Sequence, residues 1–334
     1  MPLSDFSGII PHEYSQQIID EVEQQSAVLQ LAQTMPMGTK ITELPVTGKL
    51  PAAQWITGAN LQPAGAGRKQ YTDLFLKPQV ITAEEIAAVA AIPDQYLEDN
   101  TINLWNWARP KLAEAIARRL DETVMFGGAG IPATFPVQGL SNPLYSTAVG
   151  LGAGPFPTAI DAVDAVNNAM SYVEGQGLNV TGHSADIGAK GQFRGVRDAN
   201  GSLLLGTEQV GNSARPTLYG ERIAYSQYAQ VTATDFFTGA WDYLVIGVRQ
   251  DIRFRIDPSG VILGADMASS VSGFQDNVVP IKVWARFGCT IIKPITPRVG
   301  GAGAVPFART RLLGLTAPTP PPLEDAGSRS TAKK

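Results

Sequence analysis

Gly182-His183-Ser184-Ala185-Asp186 is the stretch of this chain closest to a reactive constellation. It follows a strand-like run, precedes a segment of helical character and nearly spells G-x-S-x-G, the motif in which a sharp turn exposes a nucleophilic serine. The final glycine is missing. A serine nucleophile also needs a histidine to take its proton, and the only histidines are His12 and His183, neither of which follows Ser184 as that fold's order requires. The bland reading of Ser184 is a helix cap. His12-Glu13 lacks a second histidine four residues on, and one cysteine with two distant histidines is a poor soft-metal set. Gly150-Leu151-Gly152-Ala153-Gly154 resembles a phosphate-binding loop, but Pro155 follows and no Gly-Lys-Ser/Thr ending occurs anywhere. The paired acids Glu84-Glu85 and Asp121-Glu122 read as solvated. The expectation is a protein without catalytic residues, cofactor or metal.

The elements that would have to position such groups are those of a sizeable fold. The chain has 334 residues, 44% of them hydrophobic and 17% charged, enough to bury a substantial core. Its 34 glycines and 24 prolines concentrate in loop-like and arm-like stretches, which suggests an extended molecule. No apolar run approaches the roughly 20 residues that cross a bilayer, and MPLSDFSGII lacks the blocks of a signal peptide, so synthesis in the cytoplasm is expected. Cys289, the single cysteine, sits in a strand-like run and reads as a buried, inert thiol. Net charge is −4 with no basic block in the body, which argues against a direct grip on nucleic acid. Any DNA nearby is enclosed rather than read.

His12 to Gln33 carries Ile18, Val22, Leu29 and Ala32 at helical spacing, a thin stripe that Pro36 and Gly38 end. Thr39 to Val46 then alternates like a strand, and a second strand-like run lies at Tyr71 to Lys77. Between them Thr47 to Gln70 is rich in glycine, proline and alanine, too long for a loop inside a compact domain. It is expected to project. An isolated two-stranded hairpin is marginal in water, so a long one implies another molecule to lie against, and Trp55 near its tip either anchors an interface, the favoured reading, or folds back onto its own hairpin. Arg68 and Lys69 lie in the same stretch.

Gln79 to Ile92 reads as one long apolar strand, although Glu84 to Ala88 would also tolerate a helix, and Pro93 stops either. Trp105, Ala108, Leu112, Ile116, Leu120 and Val124 then keep a strong helical period from Thr101 to Phe126, on the order of 39 Å at 1.5 Å per residue. Pro110 requires a separate first turn or a kink. Gly127 to Pro157 reads as a boundary. A helix capped by Thr158 and Asp161 buries Val163, Val166, Met170 and Val173 and closes at Gly175 and Gly177. Beyond it come a strand at Leu178 to Thr181, a helix from Ala185 to Val196, and strands at Ile223 to Val231, Leu244 to Val248 and Ile252 to Ile256. In the last, Arg253 and Arg255 alternate with apolar neighbours, so they form a solvated or interface face. Val278 to Ile292 supplies a strand pair, and a proline-rich, then basic, tail follows Ala317.

This order of elements resembles the Hong Kong 97-type major capsid proteins of tailed phages, a fold shared with the encapsulin shell proteins. The similarity covers nearly the whole chain. It is carried by Ser26 to Ala32 leading to Met37 and Leu44-Pro45-Val46, by Trp55, by Leu112 to Glu122 followed by Gly127, by Leu218-Tyr219-Gly220, and by Phe274 to Gly288. Lys282 stands where an arginine is common, and Pro280 interrupts a strand usually free of it, which calls for an edge position or bulge.

The resemblance implies an α+β capsid fold: N-terminal arm 1–38, extended hairpin 39–78, peripheral domain 79–138 and 273–315 with spine helix 101–126, axial domain 139–272, and flexible tail 316–334. It implies a structural, non-enzymatic protein of the virion. Its subunits would form pentamers and hexamers that close into an icosahedral shell around double-stranded DNA, with scaffolding, portal and decoration proteins as possible partners and no membrane. Inter-subunit contacts would involve Trp55, Arg68, Lys69, Arg253 and Arg255. Some members join hairpin lysines to a neighbour's asparagine, a chemistry for which Lys49, Lys69 and Asn277 are the candidates here. Two alternatives remain, an encapsulin shell and, more distantly, a hydrolase using Ser184.

Overall fold

The computed structural model describes residues 26–51, 53, 75–93, 104–127, 130–149, 162–195, 217–226, 235–257, 260–263 and 270–311. In chain order the elements are α1 (Ala27–Leu31), β1 (Gln33–Pro36), β2 (Ile41–Thr47), β3 (Leu76–Thr82), β4 (Glu84–Pro93) and α2 (Leu104–Phe126). Then follow β5 (Ser146–Ala148), α3 (Ala162–Gly175), β6 (Gly182–Asp186), α4 (Ala189–Gly195), β7 (Thr217–Leu218), β8 (Glu221–Ser226) and β9 (Asp235–Gly239). The chain continues through β10 (Leu244–Ile256), β11 (Val261–Leu263), β12 (Ser270–Ser272), β13 (Val278–Ile291) and β14 (Phe307–Arg311).

Two larger sheets organise these strands. One has four strands in the order β1-β10-β13-β4, the other six in the order β5-β14-β9-β6-β8-β7, and β2-β3 and β11-β12 are separate two-stranded ribbons. The helix α2 runs 23 residues, about 35 Å at the standard rise. Pro110, its seventh residue, lies inside this single helix, where it forgoes the bond to the Asn106 carbonyl. Leu112, Ile116, Leu120 and Val124 fall on its buried side, against Val283, Ala285 and Phe287 of β13. Phe237 and Phe307 join the same core from the other sheet, and Trp241 from the short 3-10 turn (Trp241–Tyr243) between β9 and β10. A second core lies under α3, where Val166 and Val173 are fully buried as their spacing predicts.

Several expectations are corrected. The run read as one strand over Gln79 to Ile92 is two strands broken at the buried Ala83, the first paired with β2 and the second with β13. Strands expected at Leu244 to Val248 and Ile252 to Ile256 are one 13-residue strand with irregularities between Val248 and Arg253, and the pair expected at Val278 to Ile292 is one 14-residue strand. The strand expected at Leu178 to Thr181 lies at Gly182–Asp186, which takes Ala185 and Asp186 out of the expected helix. Gln33 belongs to β1 rather than to a helix. The strand β10 lies in the four-stranded sheet and β14 in the six-stranded one, because each pairs with a strand remote in sequence. The Thr158 and Asp161 cap, the tip of the hairpin and the tail from 316 fall outside the described residues.

Pro280 sits within β13, yet no bulge is needed. Its pairing with Ala91 of β4 is in unbroken register, while its carbonyl accepts from Asp257 N–H on the β10 side, beyond the last pair, Ile256 with Ile281. A strand residue's N–H and C=O point the same way, so Pro280 keeps the bond from Asp257 N–H and forgoes only a return bond at the very end of the β10 ladder.

Gly247 and Gly288 are directly paired across β10 and β13, and the root of the β2-β3 ribbon lies on that bare spot. A Cβ at Gly288 would sit 2.6 Å from Ile81 Cγ2 and 2.9 Å from the Thr82 carbonyl oxygen, and one at Gly247 2.3 Å from Met37 Sδ. Ile81 and Met37 are buried there with Ala83 and Val245. The Thr82 obstacle is backbone and cannot rotate away, so Gly288→Ala should destabilise the subunit by about 1–3 kcal/mol through overpacking. Urea unfolding would measure this, and an unchanged midpoint would refute it.

Candidate assembly surfaces

The β2-β3 ribbon has unlike faces. Thr42, Leu44, Val46, Gln79 and Ile81 face inward, and the Gln79 amide donates to Thr290 Oγ1 at 2.9 Å. On the other face Ile41 is 56%, Val80 48% and Leu76 61% exposed, with Pro45 and Pro78 between them. Pro45 and Pro78 are directly opposite each other. Two facing prolines fit a ladder only at a non-hydrogen-bonded pair, where both missing N–H groups would have pointed outward. They therefore cost the ribbon no internal bond and deny both its edges to a foreign strand. What remains available is a mainly apolar face, on which Glu43 stands opposite Val80 and Thr47 opposite Leu76. Trp55, Arg68 and Lys69 lie outside the described residues. Lys49, with Leu50 and Pro51, borders an open groove against Ile295, Thr296 and Pro297.

A second surface lies on the four-stranded sheet, on the side away from α2. Arg255 pairs with Lys282, Arg253 with Trp284 and Gln250 with Arg286, while β4 adds Val89, Ala87 and Glu85 to the same rows. Arg253 and Arg255 thus stand together on one exposed face, as their alternation with the buried Ile252 and half-buried Phe254 predicts. Lys282 Nζ and Arg286 reach Glu85 at 3.4 and 3.5 Å, Arg255 reaches Asp257 at 3.4 Å, and Lys282 Nζ also lies 5.0 Å from the Trp284 ring centre. Beyond this face the β11-β12 ribbon carries exposed Val261 and Leu263, and Phe274 beside it is 84% exposed.

A buried polar junction fixes these surfaces to one another. The Asp121 carboxylate on α2 is fully buried, contrary to the solvated reading, and accepts from Ser26 Oγ at 2.5 Å, Ala27 N–H at 2.9 Å and Val28 N–H at 3.3 Å. Ser226 of β8 adds a longer bond at 3.4 Å. Ser26 in turn caps α1 through Leu29 N–H. One carboxylate thus caps a helix and ties the start of the described chain to both α2 and the six-stranded sheet. Burial pushes its pKa up to about 6 against the opposing pull of these hydrogen bonds. Its neighbour Glu122 stays half exposed and pairs with Arg119 at 2.9 Å.

A profile of the phage capsid family matches residues 7–296. The chain belongs to the phage capsid family. The probable major capsid protein gp17 of Mycobacterium phage D29 is 27% identical over 289 residues, covering 84% of this chain and 86% of that protein. Its counterpart in Mycobacterium phage L5 is also 27% identical, over 85% and 86%. Among solved structures, one from Mycobacterium phage Cain superposes with a TM-score of 0.68 at 25% identity, over 88% of this chain and 92% of that one. The capsid of a native GTA particle shares the fold at a TM-score of 0.56 and 17% identity, over 94% and 95%. The α+β capsid fold expected from the sequence is therefore present, in a structural protein of a phage shell.

In this capsid protein Ser184 occupies neither an elbow nor a helix cap. It lies inside β6, an interior strand, paired on one side with Ala224 and on the other with Phe237, and is 1% exposed. His183 points to the opposite face, where its Nδ1 meets Thr238 Oγ1 at 3.0 Å and its ring stacks on Phe236. The two side chains are divided by the sheet, so among the described residues the buried Ser184 has no histidine on its side to take its proton. Burial holds the His183 pKa down at about 4 and drives the Cys289 thiol up to about 12. Among the described residues no cluster of three His, Cys, Asp or Glu side chains is placed to hold a metal, and no helix is long and apolar enough to cross a membrane.

Sequence reading missed the Asp121 junction. Its one local signal was an acid at a position adjoining the apolar stripe of α2, next to Leu120.

Asp121 and His183 carry opposite pH signatures. Asp121 holds its proton more tightly folded than unfolded, about 6 against 3.8, so its contribution makes stability fall as pH rises through that window. His183 takes its proton less readily folded, about 4 against 6.5, so its contribution makes stability rise with pH over that range. Urea unfolding of the subunit between those limits should therefore show a steeper rise with pH in Asp121→Asn than in wild type, and a shallower rise or a fall in His183→Gln. Identical pH slopes in all three proteins would refute both assignments.

Proposed function

We propose that this chain is the major capsid protein of a tailed bacteriophage, assembling as pentamers and hexamers into a closed icosahedral shell around double-stranded DNA. The observation that carries the reading is the outer face of the β2-β3 ribbon. A two-stranded ribbon with Ile41, Leu76 and Val80 turned to water is poorly supported alone, and covering the exposed half of each against a neighbour contributes about 1 kcal/mol. The paired prolines direct that contact to the face rather than the edge.

In this reading the four-stranded sheet with α2 forms the peripheral part of the subunit. The six-stranded sheet with α3 and α4 forms the axial part that meets its copies at the symmetry axes. Trp55, Arg68, Lys69, Arg253 and Arg255 contribute to contacts between subunits. The protein acts without catalysis and encloses DNA without reading its sequence, in keeping with a net charge of −4. Assembly takes place in the host cytoplasm with scaffolding, portal and decoration proteins as candidate partners.

Negative-stain microscopy of the purified protein, with size-exclusion chromatography and light scattering over a concentration series, tests this. Closed shells, tubes, or rings of five or six are expected. Leu76→Asp/Val80→Asp should leave the subunit folded, with an unchanged far-ultraviolet circular dichroism spectrum, and abolish the closed particles. A wild-type monomer at every concentration, even with a candidate scaffolding protein, would sink the shell reading.

A further inference from the structure

The open groove at the root of the β2-β3 ribbon has a candidate occupant within the chain's own sequence. Leu50 and Pro51 line it from the ribbon side, and Ile295, Pro297, Gly300 and Gly301 line it from the loop that follows β13. Its volume, about 360 Å³, falls within the ~300–1,000 Å³ of ligand-sized clefts. The loop side is preformed. Thr296 Oγ1 donates to the Gln176 carbonyl at 2.7 Å, the Val299 and Gly300 N–H groups donate back to the Thr296 carbonyl, and Ala304 N–H donates to the Pro294 carbonyl at 2.7 Å. A Cβ placed on Gly300 or Gly301 would meet nothing within 4 Å, so both present bare backbone to open space.

We propose that the proline-rich segment 317–325 folds back into this groove on its own subunit and clamps the ribbon root to the loop after β13. Chemistry, charge and chain length all favour this occupant. Pro320-Pro321-Pro322 is the only run of consecutive prolines in the sequence, with Pro318 before it and Leu323 after it. Prolines carry no N–H, so they enter an apolar groove without stranding a donor, and a proline run is already extended and loses little entropy on docking. Aliphatic and proline side chains stand here where many proline-binding grooves use aromatic ones. Glu324 and Asp325 follow directly, whereas the segments that line and flank the groove, 48–51 and 293–301, contain Lys49, Lys293 and Arg298 and no acid. The described residues end at Arg311. Gly301 precedes Arg311 by ten positions and Pro321 follows it by ten, and a chain long enough to cover that distance in one direction covers it in the other. The tail therefore reaches the groove of its own subunit. Seated there, it would span ribbon and body and hold the ribbon at one angle.

The clamp lies within one subunit and stands whether or not shells form. To test it, Lys49→Cys/Asp325→Cys and, as a second register, Gly301→Cys/Leu323→Cys are placed in the full-length chain. Equal parts of isotopically heavy and light subunits are mixed, treated with diamide and mapped by mass spectrometry. The native Cys289 is buried and leaves the introduced pair as the reactive thiols. Disulfide-linked peptide pairs that are wholly heavy or wholly light are expected. Pairs that mix the two labels would overturn the proposal in favour of a neighbour's tail, and the absence of any linkage in both registers would overturn it outright.

In parallel, Pro320→Ser/Pro321→Ser/Pro322→Ser in the full-length chain should vacate the groove for a fluorescent peptide of residues 316–326. A tethered segment competes at an effective concentration of about millimolar, so the peptide should bind wild type about tenfold more weakly, or worse, than it binds the triple variant. Fluorescence anisotropy reads both affinities. Gly301→Leu, which fills the groove from a position whose own Cβ meets no obstacle, should abolish binding when added to the triple variant. Equal affinity for wild type and the triple variant would count against the clamp, as would no binding to a folded triple variant or binding that Gly301→Leu leaves unchanged.

Discussion

The antiparallel pairing of Leu244–Ile256 with Val278–Ile291 is the interaction on which the other surfaces depend. Strands this long are held by many ladder bonds and by the α2 stripe beneath them. They can therefore present different chemistry at different points along their length. Near one end the Gly247-Gly288 pair removes two side chains and admits the root of the β2-β3 ribbon. Further along, the outer rows carry Arg253, Arg255, Lys282 and Arg286, and past Ile256 the chain turns out into the β11-β12 ribbon. A shell protein needs such a rigid member, because contacts made at its two ends must keep a fixed separation for a closed particle to form.

The second constraint is the Asp121 junction. A carboxylate with no solvent exposure is costly unless its oxygens are satisfied, and here two hydroxyls and two backbone N–H groups surround it. Those donors come from α1 and β8, which are remote from each other in sequence. The junction therefore specifies one arrangement of the chain start, the long helix and the six-stranded sheet, and mispacked alternatives would leave a buried charge unpaired. That cost falls on geometry, as befits a structural protein of a shell.

The long helix was legible in the sequence because its signal is local. Leu112, Ile116, Leu120 and Val124 recur on one face whatever they pack against, and all four are buried. The same holds for the alternation that turned Arg253 and Arg255 to one side, and for the apolar run that buried Cys289. The resemblance to capsid proteins drew on the order of such local signals and named the family correctly. Strand boundaries were less legible. Ala83 divides two strands with no glycine or proline to mark it, and only the switch of partner from β2 to β13 makes it a boundary. Ser184 misled for a related reason. Its neighbours resemble a reactive turn, and what makes it inert is the placement of β8 and β9 on either side.

By itself the sequence determined the long helix α2 and which faces of α2, α3 and β10 are apolar, because each follows from residue type and spacing along a few turns or pleats. Only the tertiary structure decided that β10 and β14 exchange sheets, that Gly247 and Gly288 form a socket, and that Asp121 is a buried cap rather than a solvated acid. These depend on which remote segments meet. A pairing between residues about one hundred positions apart leaves no periodicity in either strand, since the energy that selects it is shared between groups that local pattern never places side by side.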